Sequence, residues 1–209
     1  MPISIVAEGS FGCFTIPAFV TERVSYELPP PSAVRGMLES ILWKPEFRYI
    51  VRSVAMIRHS SGEPTRFMTL KTNEVERGDC VVDGKAREQR RSNILRYPAF
   101  LIEVGFAPGA RPITKPGHNM QTYLEFFKRR VMKGQNFQTP FLGQREYPAD
   151  VRLATEADVP LDETRPLGAF SYTAWASTNY VQHATEGVRV VQPAVEMIAG
   201  RVDMSEWVQ

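Results

Sequence analysis

The sequence predicts an α+β fold, and three observations carry the prediction. Branched and aromatic residues concentrate in short runs at 3–14, 47–59 and 97–107, as strands require. Two stretches, 32–42 and 120–131, instead repeat their apolar residues at helical spacing. Beyond residue 158 the texture changes to turns and short β-type pieces.

The totals set bounds. A chain of 209 residues suffices for one domain of common size plus a small appendage. Hydrophobic residues at 43% and charged residues at 23% exclude a disordered or fibrous protein. Net charge is only +2, so an argument for a polyanion partner has to rest on local clusters. Cys13 and Cys80 are the only cysteines, and the N-terminus lacks the pattern of a secretory leader. A reducing cytoplasm is expected, and with no transmembrane run, no membrane partner. His59, His118 and His183 are scattered, so neither a structural metal nor a cofactor is expected. Carboxylates meeting only in the fold remain a route to a magnesium ion.

Taken in order, 3–14 (ISIVAEGSFGCF) reads as a strand running into a turn or bulge at Gly9 and Gly12. RVSYEL at 23–28 is a short strand or an extended lead-in to Pro29, Pro30 and Pro31, which bar a helix until about Ser32. Val34, Leu38, Ile41 and Leu42 then keep helical spacing until Pro45. FRYIVRSVAMIRH at 47–59 alternates imperfectly, as a half-buried strand with Arg48, Arg52 and Arg58 on its wet face would. Residues 60–96 are polar and broken by glycine and proline, which suggests an inserted hairpin. Its end gathers Lys85, Arg87, Arg90, Arg91 and Arg96; such a run is either a solvated face or a nucleic-acid contact. YPAFLIEVGFA at 97–107 is a strand, and 151–154 is the fourth. The order strand, helix, strand, strand, helix, strand is that of a ferredoxin-like, or RNA-recognition-motif-like, domain. The expected division is 1–155 for that domain, with the hairpin at about 60–96, and 156–209 for a small C-terminal β-sheet region.

The chain is organised around 122–150. Met120, Tyr123, Leu124, Phe127 and Val131 share one helix face, while Lys128, Arg129 and Lys133 fall on others. Gly134 stands where a left-handed cap would end the helix. The loop beyond mixes Gln135, Gln138, Gln144 and Arg145 with Phe137, Phe141 and Tyr147, a mixture suited to single-stranded RNA. Arg145 has Glu146 as an alternative partner. Trp175 and Trp207 read as core or subunit interface.

Several of these stretches together resemble the CRISPR-associated Cas-five proteins, type I-C variety. They are GSFGCFTIP, ERVSYELPPPSAVRGMLESILWKP, KAREQRRSNILR and FFKRRVMKGQNFQTPFLGQREYPA, in the family's order across most of 9–149. The resemblance implies an RNA-binding subunit of an antiviral surveillance (Cascade) complex. Such a subunit holds the 5′ handle of the CRISPR RNA and contacts backbone and large subunits. Implied RNA contacts are Arg23 and Tyr26, Arg87, Arg90 and Arg91 on the hairpin, Lys128, Arg129, Arg130 and Lys133 at the helix end, and Arg145. A strand-edge salt bridge is the alternative for Arg23.

Members of this variety commonly also cut the precursor transcript without a metal, which needs a base, an acid and a cation at the phosphate. In nuclease members a tyrosine or histidine precedes Trp-Lys-Pro, and a Lys-His pair opens the second helix. Here Leu42 precedes Trp43, Lys44 and Pro45, and the pair aligns with Thr122 and Tyr123. Neither leucine nor threonine shuttles protons. The remaining candidates are Tyr123, for which a core role is the alternative, and Lys115 and His118 in the preceding loop. Two readings follow: a handle-binding subunit served by a separate nuclease, or a metal-independent endoribonuclease. A third, an unrelated ferredoxin-like RNA-binding protein, fits fewer of the matched stretches.

Overall fold

The computed structural model describes residues 2–19, 22–75, 87–174 and 188–207. Trp175, Cys80, Lys85 and His183 lie outside them. The elements run β1 (Ile3–Glu8), β2 (Phe11–Gly12), β3 (Phe14–Thr15), β4 (Arg23–Tyr26), α1 (Pro31–Ile41), β5 (Phe47–Met56), β6 (Arg66–Val75) and β7 (Arg87–Arg96). Then come β8 (Ala99–Pro108), α2 (Met120–Met132), β9 (Asp150–Leu153), β10 (Arg165–Ala174), β11 (Val188–Met197) and β12 (Arg201–Asp203). The protein is α+β, as its sequence predicts.

The main sheet has the order β12-β5-β8-β1-β9 with every neighbour antiparallel. Both helices lie on one face. Val34, Met37, Leu38 and Ile41 of α1 and Tyr123, Leu124, Phe127 and Val131 of α2 are buried in the same cluster as Ile3, Ile5 and Ala7. Aromatic rings join the layers: Phe47 meets Tyr123 at 5.2 Å and Tyr49 meets Phe127 at 5.6 Å between centroids. The opposite face keeps a smaller apolar cluster of Val6, Ile57 and Ala99. That is why β1, a central strand, is buried on both sides.

The imperfect alternation of β5 has a physical cause. Its register with β8 shifts between Val51 and Ser53, which leaves Arg52 as an extra residue. Phe47, Tyr49 and Val51 pack into the main core before this bulge, and Val54 and Met56 after it. Arg52 is exposed, with its Nε 3.2 Å from where a Cβ on Gly105 would sit.

α1 starts at Pro31, one residue before the expected Ser32, because proline at the first helical position lacks only an N–H that has no partner anyway. It ends at Ile41, and Leu42, expected inside the helix, is its extended C-cap. α2 opens on Asn119, whose side chain accepts from the Thr122 N–H at 3.0 Å, while the Asn119 N–H donates back to the Thr122 hydroxyl. It closes at Gly134, with φ +62.

β6 and β7 form the expected antiparallel pair, from Arg66 opposite Arg96 to Val75 opposite Arg87. The root of β7 is not a surface feature, however. It also pairs antiparallel with β2 and parallel with β4, which buries Ile94 and Leu95. β10 and β11 pair with each other and send Phe170, Val195 and Met197 into the main core, and β12 returns to the edge of the main sheet beside β5.

Candidate nucleic-acid interface

The basic turns of α2 divide by burial and partner. Lys128 pairs with Glu125 at 3.2 Å, one turn away. The Arg129 guanidinium lies 5.1 Å over the Phe126 ring and remains exposed. Arg130 turns inward and donates to the Ile41 carbonyl oxygen. Lys133, the C-cap, is exposed.

The loop after α2 is exposed along 132–139 yet anchored at both ends by its backbone. The N–H groups of Phe137 and Gln138 both donate to the Ser40 carbonyl of α1. Further on, the Cys13 N–H donates to the Leu142 carbonyl at 2.9 Å. Gly143 sits at φ +84, and a Cβ there would stand 1.9 Å from the Cys13 carbonyl oxygen, so no other residue fits. This contact ties the loop to the β2–β3 turn. Gln144 extends it, donating to the Thr15 hydroxyl at 3.0 Å and accepting from Arg23 at 3.3 Å. Arg23 also faces Glu146 at 3.7 Å, while Arg145 projects as an exposed residue between these partners.

Tyr26, expected beside Arg23 at the RNA, is 5% exposed. Its ring stacks on Phe170 at 4.5 Å and its hydroxyl accepts from the Ser171 N–H at 2.8 Å, so it locks β4 to β10 beneath Arg23. On β7, Arg90 is half-buried and opposite Thr72, whereas Arg91 is exposed and opposite Lys71. The two-residue period of a strand sends them to opposite faces. Arg87 is the outermost described residue of that strand.

The three catalytic candidates differ in exposure. Tyr123 is 3% exposed, and burial, then the adjacent and hydrogen-bonded Glu46 carboxylate, pushes its phenol above the ordinary value. A phenol so placed stays protonated and donates to Glu46, which is the opposite of a base. His118 stands 5.9 Å from Tyr123 and 5.6 Å from Phe126 between ring centroids, edge-on to both. Its Nδ1 and the Oε2 of Glu46 are buried and meet no hydrogen-bond partner among the described residues. Lys115 is exposed, and its carbonyl accepts from the His118 N–H at 3.1 Å, closing a turn around Gly117. Leu42 is buried. Sequence reasoning missed Glu46, which carries no local signal beside Pro45.

Fold and site together define a class: an α+β protein with cations, amides and aromatic rings gathered on an anchored helix–loop unit, a surface suited to a single-stranded polyanion. Known proteins narrow the class. The family model for the CRISPR-associated protein Cas5d (Cas_Cas5) matches residues 5–204, and the chain belongs to that family. The CRISPR pre-crRNA endoribonuclease Cas5d of Thermus thermophilus is 43% identical over 142 residues, which are 68% of this chain and 59% of that protein. A solved CRISPR-associated protein shares the fold with a TM-score of 0.67 at 20% identity, over 97% of this chain and 91% of the other. A chain of a CRISPR RNA-guided surveillance complex does so with a TM-score of 0.55 at 12% identity, over the same shares.

Proposed function

We propose that this protein binds the repeat-derived 5′ handle of a CRISPR RNA as a subunit of a type I-C-like surveillance (Cascade) complex. The observation that carries this is the anchored loop after α2. Its backbone is held at Ser40 and Cys13, while Arg129, Lys133 and Arg145 keep their charges toward solvent along the same unit. Holding the loop in advance lowers the ordering cost of binding. Family membership supports the same reading, as does the likeness to a surveillance-complex chain.

The reading extends to the architecture. β1, α1, β5, β8, α2 and β9, with the sheet order β5-β8-β1-β9, form a ferredoxin-like, RNA-recognition-motif-like domain over 1–155, with the hairpin inserted at about 60–96. Residues 156–209 form the small C-terminal region, which lends β12 back to the first sheet. Arg23, Lys128, Arg87, Arg90 and Arg91 complete the RNA surface, with Tyr26 and Arg130 as its supports. Among the described residues no helix is long and apolar enough to cross a membrane. The place of action is the cytoplasm, beside the backbone and large subunits.

A second reading, the metal-independent endoribonuclease, is favoured by His118 and Glu46, whose unpartnered buried atoms flank Tyr123. It is also the activity named for the Thermus relative. One experiment tests both. The protein is titrated with labelled repeat RNA in chelator, at several salt concentrations, beside RNA carrying a 2′-deoxy group at the expected cut. Tight, steeply salt-dependent binding of intact RNA supports the handle-binding subunit. Affinity indifferent to salt would refute it, and specific cleavage of the 2′-hydroxyl substrate alone would establish the enzyme.

A further inference from the structure

α1 carries a glycine that the fold does not require. Gly36 lies in the helix interior at an exposed position, and a Cβ added there would meet nothing within 4 Å among the described residues. Glycine is among the poorest residues for a helix interior, and one with no close neighbour asks for another reason. Gly36 borders a cavity of about 610 Å³ between α1 and the loop after α2, a size within the usual range for ligand pockets. Around it stand Glu39, Ser40, Trp43, Phe137 and Gln138.

Two large rings border this cavity without being buried. Phe137 is 92% exposed and Trp43 is 46% exposed. Single exposed apolar residues are ordinary on a protein surface. Phe137 differs in that its backbone is fixed: its N–H donates to the Ser40 carbonyl at 2.9 Å, with the Gln138 N–H beside it at 3.2 Å. The loop thus holds a ring in water at a defined position. The Gln138 amide and the Glu39 carboxylate, which also faces Arg35 at 3.9 Å, supply donors and acceptors at the rim.

We propose that this cavity receives one nucleobase of the bound RNA, stacked on the exposed rings of Phe137 and Trp43, with Gly36 leaving the floor open. Gln138 and Glu39 face the hydrogen-bonding edge of the base. A base fits better than an apolar protein segment, because the cations Lys133 and Arg145 stand on the same loop to hold the adjoining phosphates. This site deepens the RNA-binding reading above and rests on it.

The test titrates the full chain with repeat-derived RNA and with copies carrying one abasic nucleotide at each handle position in turn. One abasic position is expected to weaken wild-type binding by about 5- to 150-fold, the usual worth of a stacked base. Phe137→Ala should weaken intact RNA by a similar factor and the abasic RNA no further. Gly36→Met should fill the floor and weaken binding, whereas Gly36→Ala should raise the thermal midpoint. Phe137→Ala removes an exposed ring, so its result does not depend on whether Gly36→Met folds. If wild type binds the RNA and no abasic position couples to Phe137→Ala, the pocket proposal falls while the RNA reading stands. If wild type does not bind repeat RNA, the RNA reading falls and takes the pocket with it. Normal RNA affinity in Phe137→Ala with lost subunit assembly would assign the cavity to a protein partner and overturn the proposal.

Discussion

The Arg130 guanidinium donates from Nη1 to the carbonyl oxygen of Ile41 at 2.6 Å. Ile41 is the last residue of α1, so its carbonyl has no partner within the helix, and a cation there meets the negative end of the dipole. Arg130 is therefore committed to joining the two helices, although it belongs to the same basic run as Arg129.

Arg130→Ala is expected to lose about 1.5–3 kcal/mol of folding stability, the range for a hydrogen bond from a charged group. The exposed Arg129→Ala and Lys133→Ala should each stay within about 0.5 kcal/mol of wild type. Each should instead reduce the salt slope of RNA binding by about 1. Urea denaturation and salt-dependent titration of the three variants measure both quantities. Equal stability losses would mean that the basic turn is a single unit.

Asp158 accepts both Nη atoms of Arg152, at 2.7 and 2.5 Å, and the N–H and hydroxyl of Thr155 at 2.8 and 2.9 Å. The Arg152 hydrogen bonds, ahead of the opposing burial, hold its carboxyl well below the usual carboxylate range. A depressed folded-state value contributes stability that is present above the unfolded value, about 3.9, and is lost as pH falls toward the folded one. Urea midpoints of wild type should therefore fall through the acid range below about pH 5, and those of Asp158→Asn should fall less steeply. Parallel curves for the two proteins would remove Asp158 from the acid sensitivity.

What the sequence made legible followed periodicity. The apolar spacing of 120–131 named four of the residues that α2 buries, and Gly134 marked its end. What escaped depended on contacts distant in the chain. The parallel pairing of Arg23 and Val24 with Ser92 and Asn93 has no local signature, so the root of the hairpin read as surface although Ile94 and Leu95 are core. Nothing local in the sequence marks the constraint on Gly143, which is a carbonyl at Cys13. In the candidate site, charge identified Arg129 and Arg130 alike, and only the position of the Ile41 carbonyl separates them. Tyr26 carried the right chemistry for stacking a base, but its partner is Phe170.

On the endoribonuclease reading, His118 and Tyr123 separate by burial. The phenol of Tyr123 is buried beside Glu46 and held protonated, so it serves to orient that carboxylate and does not accept a proton from a 2′-hydroxyl. His118 lies on the preceding turn, half-exposed, and its imidazole is a group that can take or give a proton in a general acid–base step. His118→Ala should therefore lower the single-turnover cleavage rate in chelator by about 10²- to 10⁴-fold with RNA affinity retained. Tyr123→Phe should keep cleavage within a small factor but cost about 1.5–3 kcal/mol of stability, the range for a hydrogen bond to a charged group, here Glu46. The comparison is a cleavage rate and a urea midpoint for each variant. Full activity in His118→Ala, or loss of cleavage in a stably folded Tyr123→Phe, would reverse the assignment.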